Sequence, residues 1–498
     1  MLLAEQRMVA NGNKVNRLFT KSFRELSKYP DETEWVEFKC NCNDPQMIGE
    51  YISALSNSAA LAGKPRGYLV WGINDEDHCI EGTTFRYRRL KKGNEELESW
   101  LSHLLTPYIA FQFFEIPMDG VTVVILEIPC ADKQPTSFAG VEYIRVGTTK
   151  KGLKKFPDKE RELWRAFDSL PHELRAAASN LRDEEIAAQL DYPAYYDKLA
   201  LPIPRNIEQV FEDFKNEKFL KMSDAGRWDV TVMGALLVAK DLKKFENLHR
   251  KTIRVIWYKD NSRIETVREK EFTAGYVRAY EEIIQYVMTI IPQEEVIEGG
   301  IRKTVTAFPE IAVRELLANQ MIHQAIDQRG TTIMVEAFVD RLEFSNVGAP
   351  LVSVERIVDT VPVTRNENIA GFMHKCGICE ERGSGYDKIV TATSDNRMPA
   401  PRVVNQDNQF TKVVLMAKTP YDYMAKEDKL RTCYMKACLA YVKHQAISNA
   451  DVRALFGLTD NEMAKASRII KETVGEGLIK PLDHGAAPRY MKYVPFWA

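Results

Sequence analysis

Long apolar runs are missing from this chain. The longest, such as Val232–Ala239, stop far short of the roughly 20 residues that a bilayer-spanning helix needs, so no membrane anchor is expected. The N-terminal stretch MLLAEQRMVANGNKVNR lacks an apolar segment between a basic start and a cleavage site, so it does not read as a secretory signal. Eight cysteines are scattered from Cys40 to Cys438, which argues against a disulfide framework in so large a chain. An excess of either charge is missing too. Lys and Arg number 68 against 70 Asp and Glu, a net of −2, so the surface as a whole is no magnet for polyanions. Repeats and long low-complexity tracts are not seen. The cytoplasm is the expected compartment.

At 498 residues the chain exceeds what one hydrophobic core supports, and 45% hydrophobic with 28% charged residues is the mix of packed globular domains. Four blocks follow an extension at 1–27. Over 28–165, Ile48, Tyr51, Ile52 and Leu55 recur at helical spacing, and 67–73, 121–129 and 142–146 read as strands. The block 166–300 passes a Pro-containing linker, LALPIPRN, and shows strand patterns at 231–240 and 252–258. In 301–420 a helix is expected over 311–325, a hairpin over 331–344, and glycine-marked loops at 348 and 383–385. The last block, 425–498, reads as mostly helical. The fold class is α+β, multidomain.

Positive charge is local. Arg86, Arg88, Arg89, Lys91 and Lys92 are interleaved with Phe85 and Tyr87, and Lys150, Lys151, Lys154 and Lys155 follow a predicted strand. Such patches are what a phosphate backbone needs, although runs of this kind also serve simply as solvated faces.

The segment Glu32-Thr-Glu-Trp-Val-Glu37-Phe-Lys39 alternates as a strand does, which puts Glu37 and Lys39 on one face. Asn74-Asp75-Glu76-Asp77 follows the apolar run GYLVWGI directly. Carboxylates from neighbouring strands hold hard cations such as Mg²⁺ or Mn²⁺. A metal so held activates water, and a lysine beside it neutralises charge at the phosphate.

ETEWVEFK, Asn57, GYLVWGINDED, Gly82 and YIRVGTT together resemble the Schlafen/AlbA-type domain over about 28–155. The resemblance implies an α/β nucleic-acid domain. Its nuclease trio falls on Glu32, Glu37 and Asp75 as catalytic and metal-holding carboxylates, with Lys39 in its usual place. Arg86, Arg88, Arg89, Arg145, Lys150 and Lys151 are the candidates to face nucleic acid, DNA or RNA. Thr33 replaces the usual serine, and the expected Asn-x-x-Gly-Gly turn is stretched to Asn57-SAALAGKPRG. Many bacterial members of the family are described only as DNA-binding.

In the middle, Glu315, Asn319 and His323 fall four apart on one helix face. An Asn carbonyl on Mg²⁺ at a triphosphate, one turn after a Glu that orients water, is a workable ATP site. Asn346-Val-Gly348 closes a predicted hairpin, and Arg382-Gly-Ser-Gly385 offers a loop able to approach phosphates. The order E-x₃-N-x₃-H, DRLEFSNVG, TRNENI, ERGSGYDKI resembles a divergent, GHKL-like branch of the gyrase and histidine-kinase ATPases, an α/β sandwich often found in proteins labelled ATP-binding transcriptional regulators. The resemblance covers about 190–418. It implies Glu315 as base, Asn319 as Mg²⁺ ligand, Asn346 on the adenine side, and Gly383 and Gly385 in the phosphate loop, with His323 and Gly348 alongside. Asn-Val-Gly stands where that family has Asn-Pro-Gly, and Asn346 where the wider group reads adenine with an aspartate.

In the last block, Ser448-Asn449 can cap a short helix over 450–456, with Gly457 in the turn after it. A second helix from 459 to about 474 carries Lys465, Arg468 and Lys471, and a strand, loop and strand complete the outline of a winged helix-turn-helix, with Arg489 and Lys492 at the wing. Such modules bind DNA or serve in dimerisation. His374 with Cys376 and Cys379 has a zinc-like spacing, but no second Cys-x₂-Cys pair exists to complete it. A homo-oligomer is expected. Two functions compete. One is a metal-dependent nuclease of defence or toxin type, gated by nucleotide; the other is an ATP-responsive DNA-binding regulator that cleaves nothing.

Overall fold

The computed structural model describes residues 33–74, 79–169, 171–222, 227–298, 301–328, 330, 332–379, 385–483, 485 and 487–498. Glu32, Asp75 and Gly383, each expected at a site, lie outside the described residues, as do Arg382 and Ser384. The fold is α+β, and the chain divides into two units, 1–186 with 214–232, and 187–213 with 233–498.

The first unit is built on a four-stranded sheet of β1 (Val36–Lys39), β2 (Arg66–Trp71), β3 (Gln112–Met118) and β4 (Val121–Pro129), in the order β1-β2-β4-β3. β1 runs parallel to β2, with Glu37 beside Leu69, and the other pairings are antiparallel. Parallel neighbours need a crossover, here α1 (Pro45–Leu61). Pro45 at its first turn and Asp44, whose side chain accepts from the Gln46 N–H at 3.1 Å, start that helix. Every residue of β2 is buried because the sheet has a core on each face. Leu69 and Trp71 pack with Ile48, Ile52 and Leu55 of α1, while Tyr68 and Val70 pack with Val36 and Phe38 on the other side. Glu37 and Lys39 therefore take the α1 side of β1, opposite Val36 and Phe38.

α1 meets a second, antiparallel sheet through polar side chains. Asn57 donates to the carbonyls of Thr136 (2.9 Å) and Tyr143 (2.8 Å), and its Oδ1 accepts from the Thr136 N–H at 2.7 Å. Ser53, Ser56 and Ser58 bond the same region, including the Arg145 N–H on Ser58 Oγ at 3.0 Å. That sheet contains β5 (Val141–Val146) and β6 (Thr149–Gly152). A third sheet pairs β7 (Ala176–Leu181), β8 (Leu220–Met222) and β9 (Trp228–Thr231).

In the second unit, β10 (Ile253–Tyr258), β11 (Thr266–Phe272), β12 (Ile333–Ala337), β13 (Arg341–Val347), β14 (Arg402–Gln406) and β15 (Phe410–Met416) form one sheet of order β11-β10-β12-β13-β15-β14. Strands from both sides of residue 300 thus share one sheet. α2 (Tyr276–Ile290), α3 (Glu310–His323) and α4 (Gly385–Asp395) accompany it, with α3 touching α2, α4 and β13. α3 is buried around most of its circumference, as a helix packed on several sides must be. Then come α5 (Lys426–Val442), α6 (Asn449–Phe456), α7 (Met463–Gly475) and the pair β16 (Ile479–Pro481) and β17 (Tyr493–Pro495). Ser448 caps α6 in a reciprocal box with Asp451, and Gly457 ends it at φ 64°, as its sequence predicts. No helix among the described residues is long and apolar enough to cross a membrane.

One element differs from expectation. The strand pattern at 231–240 is a helix over Val232–Val238. Its run of apolar residues is buried throughout, and a short uninterrupted apolar run carries no period that separates strand from helix.

Candidate functional site

Three turns of α3 carry Glu315, Asn319 and His323 to one wall of a cavity of about 480 Å³. Asn346 reaches the same cavity from the end of β13, and Gly385 from the first turn of α4. Five residues named from the sequence, spread over seventy positions, thus line one space. The remaining wall is largely apolar, with Leu316, Ile322, Val352, Ile357 and Val413 among its residues. Size and lining are those of a small-molecule site with a few polar anchors. Gly348 lies in sequence between the lining residues Asn346 and Ala349 and does not itself line the cavity. At φ 108° it occupies a region glycine favours, and its carbonyl accepts from Thr411 Oγ1 at 2.7 Å.

The polar groups are unequally engaged. Glu315 Oε1 accepts from Lys388 Nζ at 3.3 Å, and Gly385 lies against its carboxylate. Asn319 makes no hydrogen bond to any described side chain, leaving its amide available to a ligand. Asn346 donates from Nδ2 to the Val347 carbonyl at 3.1 Å, which turns Oδ1 the other way, the assignment resting on that bond. Burial, helped by the Arg365 charge, pushes the His323 imidazole down to about 4, so it is neutral near pH 7.

Three supporting residues carry roles that spacing does not announce. Arg365 donates to the His323 carbonyl at 3.1 Å and to the Ala349 carbonyl at 2.9 Å, tying the end of α3 to the turn after β13. Asn366 donates to the carbonyls of Ile322 (2.7 Å) and Gln324 (2.9 Å). These two are the Arg-Asn of TRNENI, so the sequence marks them as a motif without showing that they close a helix end. Lys251, 3% exposed, donates to the Ala325 and Gln328 carbonyls at 3.1 and 2.7 Å, and burial lowers it to about 8.

In the first unit, Glu37 and Lys39 share a face as expected, with Lys39 Nζ 2.8 Å from Glu37 Oε1. The other oxygen of Glu37, Oε2, meets the Arg145 guanidinium. Arg145, expected to face nucleic acid, is instead fully buried, because the carboxylate of the 2% exposed Glu37 needs a second cation inside the fold. Nearby, Lys150 pairs with Glu50 and lies 4.6 Å from the Tyr51 ring centre, while Lys39 lies 6.0 Å from it. Burial raises the Glu50 carboxyl, but hydrogen bonds from Lys150 and Gln46 outweigh it and leave the pKa lowered. Among the described residues, Lys39, Arg145 and Lys150 thus pair with the carboxylates of Glu37 and Glu50. No three His, Cys, Asp or Glu side chains form a metal-holding group among the described residues, which leave out Glu32 and Asp75. His374 Nδ1 lies 3.0 Å from the Cys379 carbonyl oxygen.

Arg86, Arg88, Arg89 and Lys151 are exposed. Phe85 and Tyr87, interleaved with the arginines, are core residues. Their rings stack at 4.5 Å on Trp71 and Phe113, so they are not a platform for bases. On α7, Arg468 and Lys471 are exposed, whereas Lys465 is held by Asp422 at 3.0 Å and Glu462 at 2.9 Å.

Comparison with known proteins adds to this geometry. Residues 32–154 match the family model "Schlafen, AlbA_2". Residues 330–415 match a second, described as "Putative ATP-dependent DNA helicase recG C-terminal", of the HATPase_c_4 type. Both fall where the sequence motifs place the two domains. The second span holds Asn346, Gly348 and Gly385; α3 precedes it and reaches the same cavity. Among solved structures, a Corynebacterium diphtheriae protein known from a crystal structure is 16% identical over 97% of both chains, with a TM-score of 0.43. No curated protein sequence matches. The two family matches suggest a nucleic-acid-binding, ATP-associated protein.

Proposed function

We propose that this protein is an ATP-responsive nucleic-acid binder, with ATP held in the cavity of the second unit. The observation that carries the reading is the convergence of Glu315, Asn319, His323, Asn346 and Gly385 on one cavity. Asn319 would ligate the Mg²⁺ of the nucleotide, Asn346 would take the adenine side, and the N–H groups at the start of α4 would take the phosphates. Magnesium would supply charge neutralisation at those phosphates. The sheet order, with α2, α3 and α4 beside it, supports a GHKL-like sandwich. The succession α6, α7, β16 and β17 supports a winged helix-turn-helix, with Arg468 and Lys471 free to meet DNA. Calorimetric titration with ATP and Mg²⁺ tests the cavity reading. Asn319→Ala is expected to abolish binding with an unchanged melting profile, and equal affinity in variant and wild type would remove the proposal.

A second reading, a metal-dependent nuclease of defence or toxin type, has one observation in its favour: the Glu37–Lys39 pair on a single strand face. Against it stands Arg145, whose charge repels a cation from Glu37. Glu37→Gln keeps the side chain's shape and removes its charge. A nuclease would cleave DNA or tRNA with Mn²⁺, and the variant would not. Absence of any Mn²⁺-dependent cleavage by the wild type leaves the regulator reading standing.

A further inference from the structure

The segment 349–364 forms one wall of the nucleotide cavity, contributing Leu351, Val352, Ile357, Thr360 and Val363. Its outer side is held by the end of the chain. Tyr434, on α5 and 4% exposed, donates its hydroxyl to the Glu355 carbonyl and accepts from Trp497 Nε1 at 3.1 Å. The Trp497 ring centre lies 4.7 Å from the Arg356 guanidinium and 5.3 Å from the Tyr441 ring. Arg356 pairs with Asp359, and its carbonyl accepts from Thr360 Oγ1. A short path thus runs from an indole, through a guanidinium and a backbone carbonyl, to a threonine in the cavity wall. α5 also packs on β17 and on α7, the helix with exposed Arg468 and Lys471.

A loop contributes little packing of its own, so what grips it from outside decides where it sits. We propose that the block 426–498 sets the position of this cavity wall, with Tyr434 and Trp497 as positioning residues, so that nucleotide in the cavity and nucleic acid on α7 are energetically coupled. Neither residue lines the cavity, so neither contacts the nucleotide directly. The naming of the two ligands rests on the function proposed above; the grip on the wall does not. Coupling of this kind is reciprocal: whatever factor duplex DNA applies to nucleotide affinity, nucleotide applies to DNA affinity.

The test uses the full chain with Tyr434→Phe and Trp497→Ala. Tyr434→Phe removes one hydroxyl and keeps the ring, so it preserves the fold if Trp497→Ala does not. Hydrogen exchange without ligand is expected to quicken across 350–364 in both variants, with α5 to α7 still protected in Tyr434→Phe. Affinity for the non-hydrolysable analogue AMPPNP with Mg²⁺ is expected to fall on the order of tenfold. In the wild type, a saturating short DNA duplex is expected to change the AMPPNP dissociation constant by the same factor as AMPPNP changes that of the duplex. Unchanged exchange across 350–364 in both variants would overturn the positioning role. AMPPNP affinity that ignores both substitutions and the duplex would overturn the coupling. A wild type that binds no AMPPNP ends the ATP reading and the coupling together, and the exchange result alone then decides the grip on the wall.

Discussion

Gly385 lies so close to Glu315 that a Cβ built on it would stand 2.8 Å from Oε2. The contact brings the start of α4 against the acidic residue of α3, and Lys388, one turn further on, closes on the other oxygen at 3.3 Å. What a side chain at 385 would meet is therefore the carboxylate, not the backbone.

Gly385→Ala follows from that contact. The atom in the way is the far end of a flexible side chain, so the carboxylate moves and the backbone does not. Stability is expected to stay within about 0.5 kcal/mol of wild type. Affinity for ATP with Mg²⁺ is expected to drop by about tenfold, or ~1.4 kcal/mol, as the displaced carboxylate crowds the cavity. Wild-type affinity in a calorimetric titration would show the contact to be incidental.

His323 gives the second unit a pH dependence of known sign. Its folded value of about 4 lies below the ordinary 6.5, so the unfolded chain binds more protons between those limits. Stability contributed by keeping it neutral is complete above pH 6.5 and falls as pH drops toward 4, by up to ~3 kcal/mol. His323→Gln, which does not titrate, is expected to lose less stability than wild type between pH 7 and 4.5. Parallel urea-denaturation curves for the two proteins would contradict this.

The Glu37–Arg145 contact makes single and double substitutions behave differently. Glu37→Ala strands a buried guanidinium and is expected to cost roughly 3–5 kcal/mol, whereas Glu37→Leu with Arg145→Met is expected to recover most of that. Thermal melts of the three proteins decide it; equal losses in single and double variants would mean that the charges do not compensate one another.

On α7, only two of the three expected basic residues are free to contact a phosphate. Joint replacement of Arg468 and Lys471 by Ala is expected to lower the slope of log affinity against log salt by up to about 2, and Lys465→Ala by little. A slope that responds to Lys465 alone would reverse the assignment.

The convergence on the second unit's cavity was legible because its signals are local. A four-residue spacing puts Glu315, Asn319 and His323 on one face whatever surrounds the helix, and glycines at 348 and 385 mark turns and close approaches. Arg145 was not legible, since nothing near it in sequence reveals that β5 passes Glu37; a strand-borne arginine reads as surface charge. The helix at 232–238 was misread because a run buried on all sides erases the period that names it.

Arg66 has a consequence for synthesis. It is 3% exposed, and its guanidinium is shared by Glu127 at 3.2 Å and Asp229 at 2.7 Å. Asp229 lies on β9, and the chain leaves the first unit at 186 and returns to it only at 214. A polypeptide emerging from the ribosome can pair β2 with β4 and offer Glu127, but Asp229 arrives about a hundred residues later. At elongation rates of ~5–20 residues per second that is a wait of several seconds or more. Through that interval Arg66 has only one of its two carboxylate partners. Its completion is timed by the arrival of β9, after the segment 187–213 has already been made for the other unit.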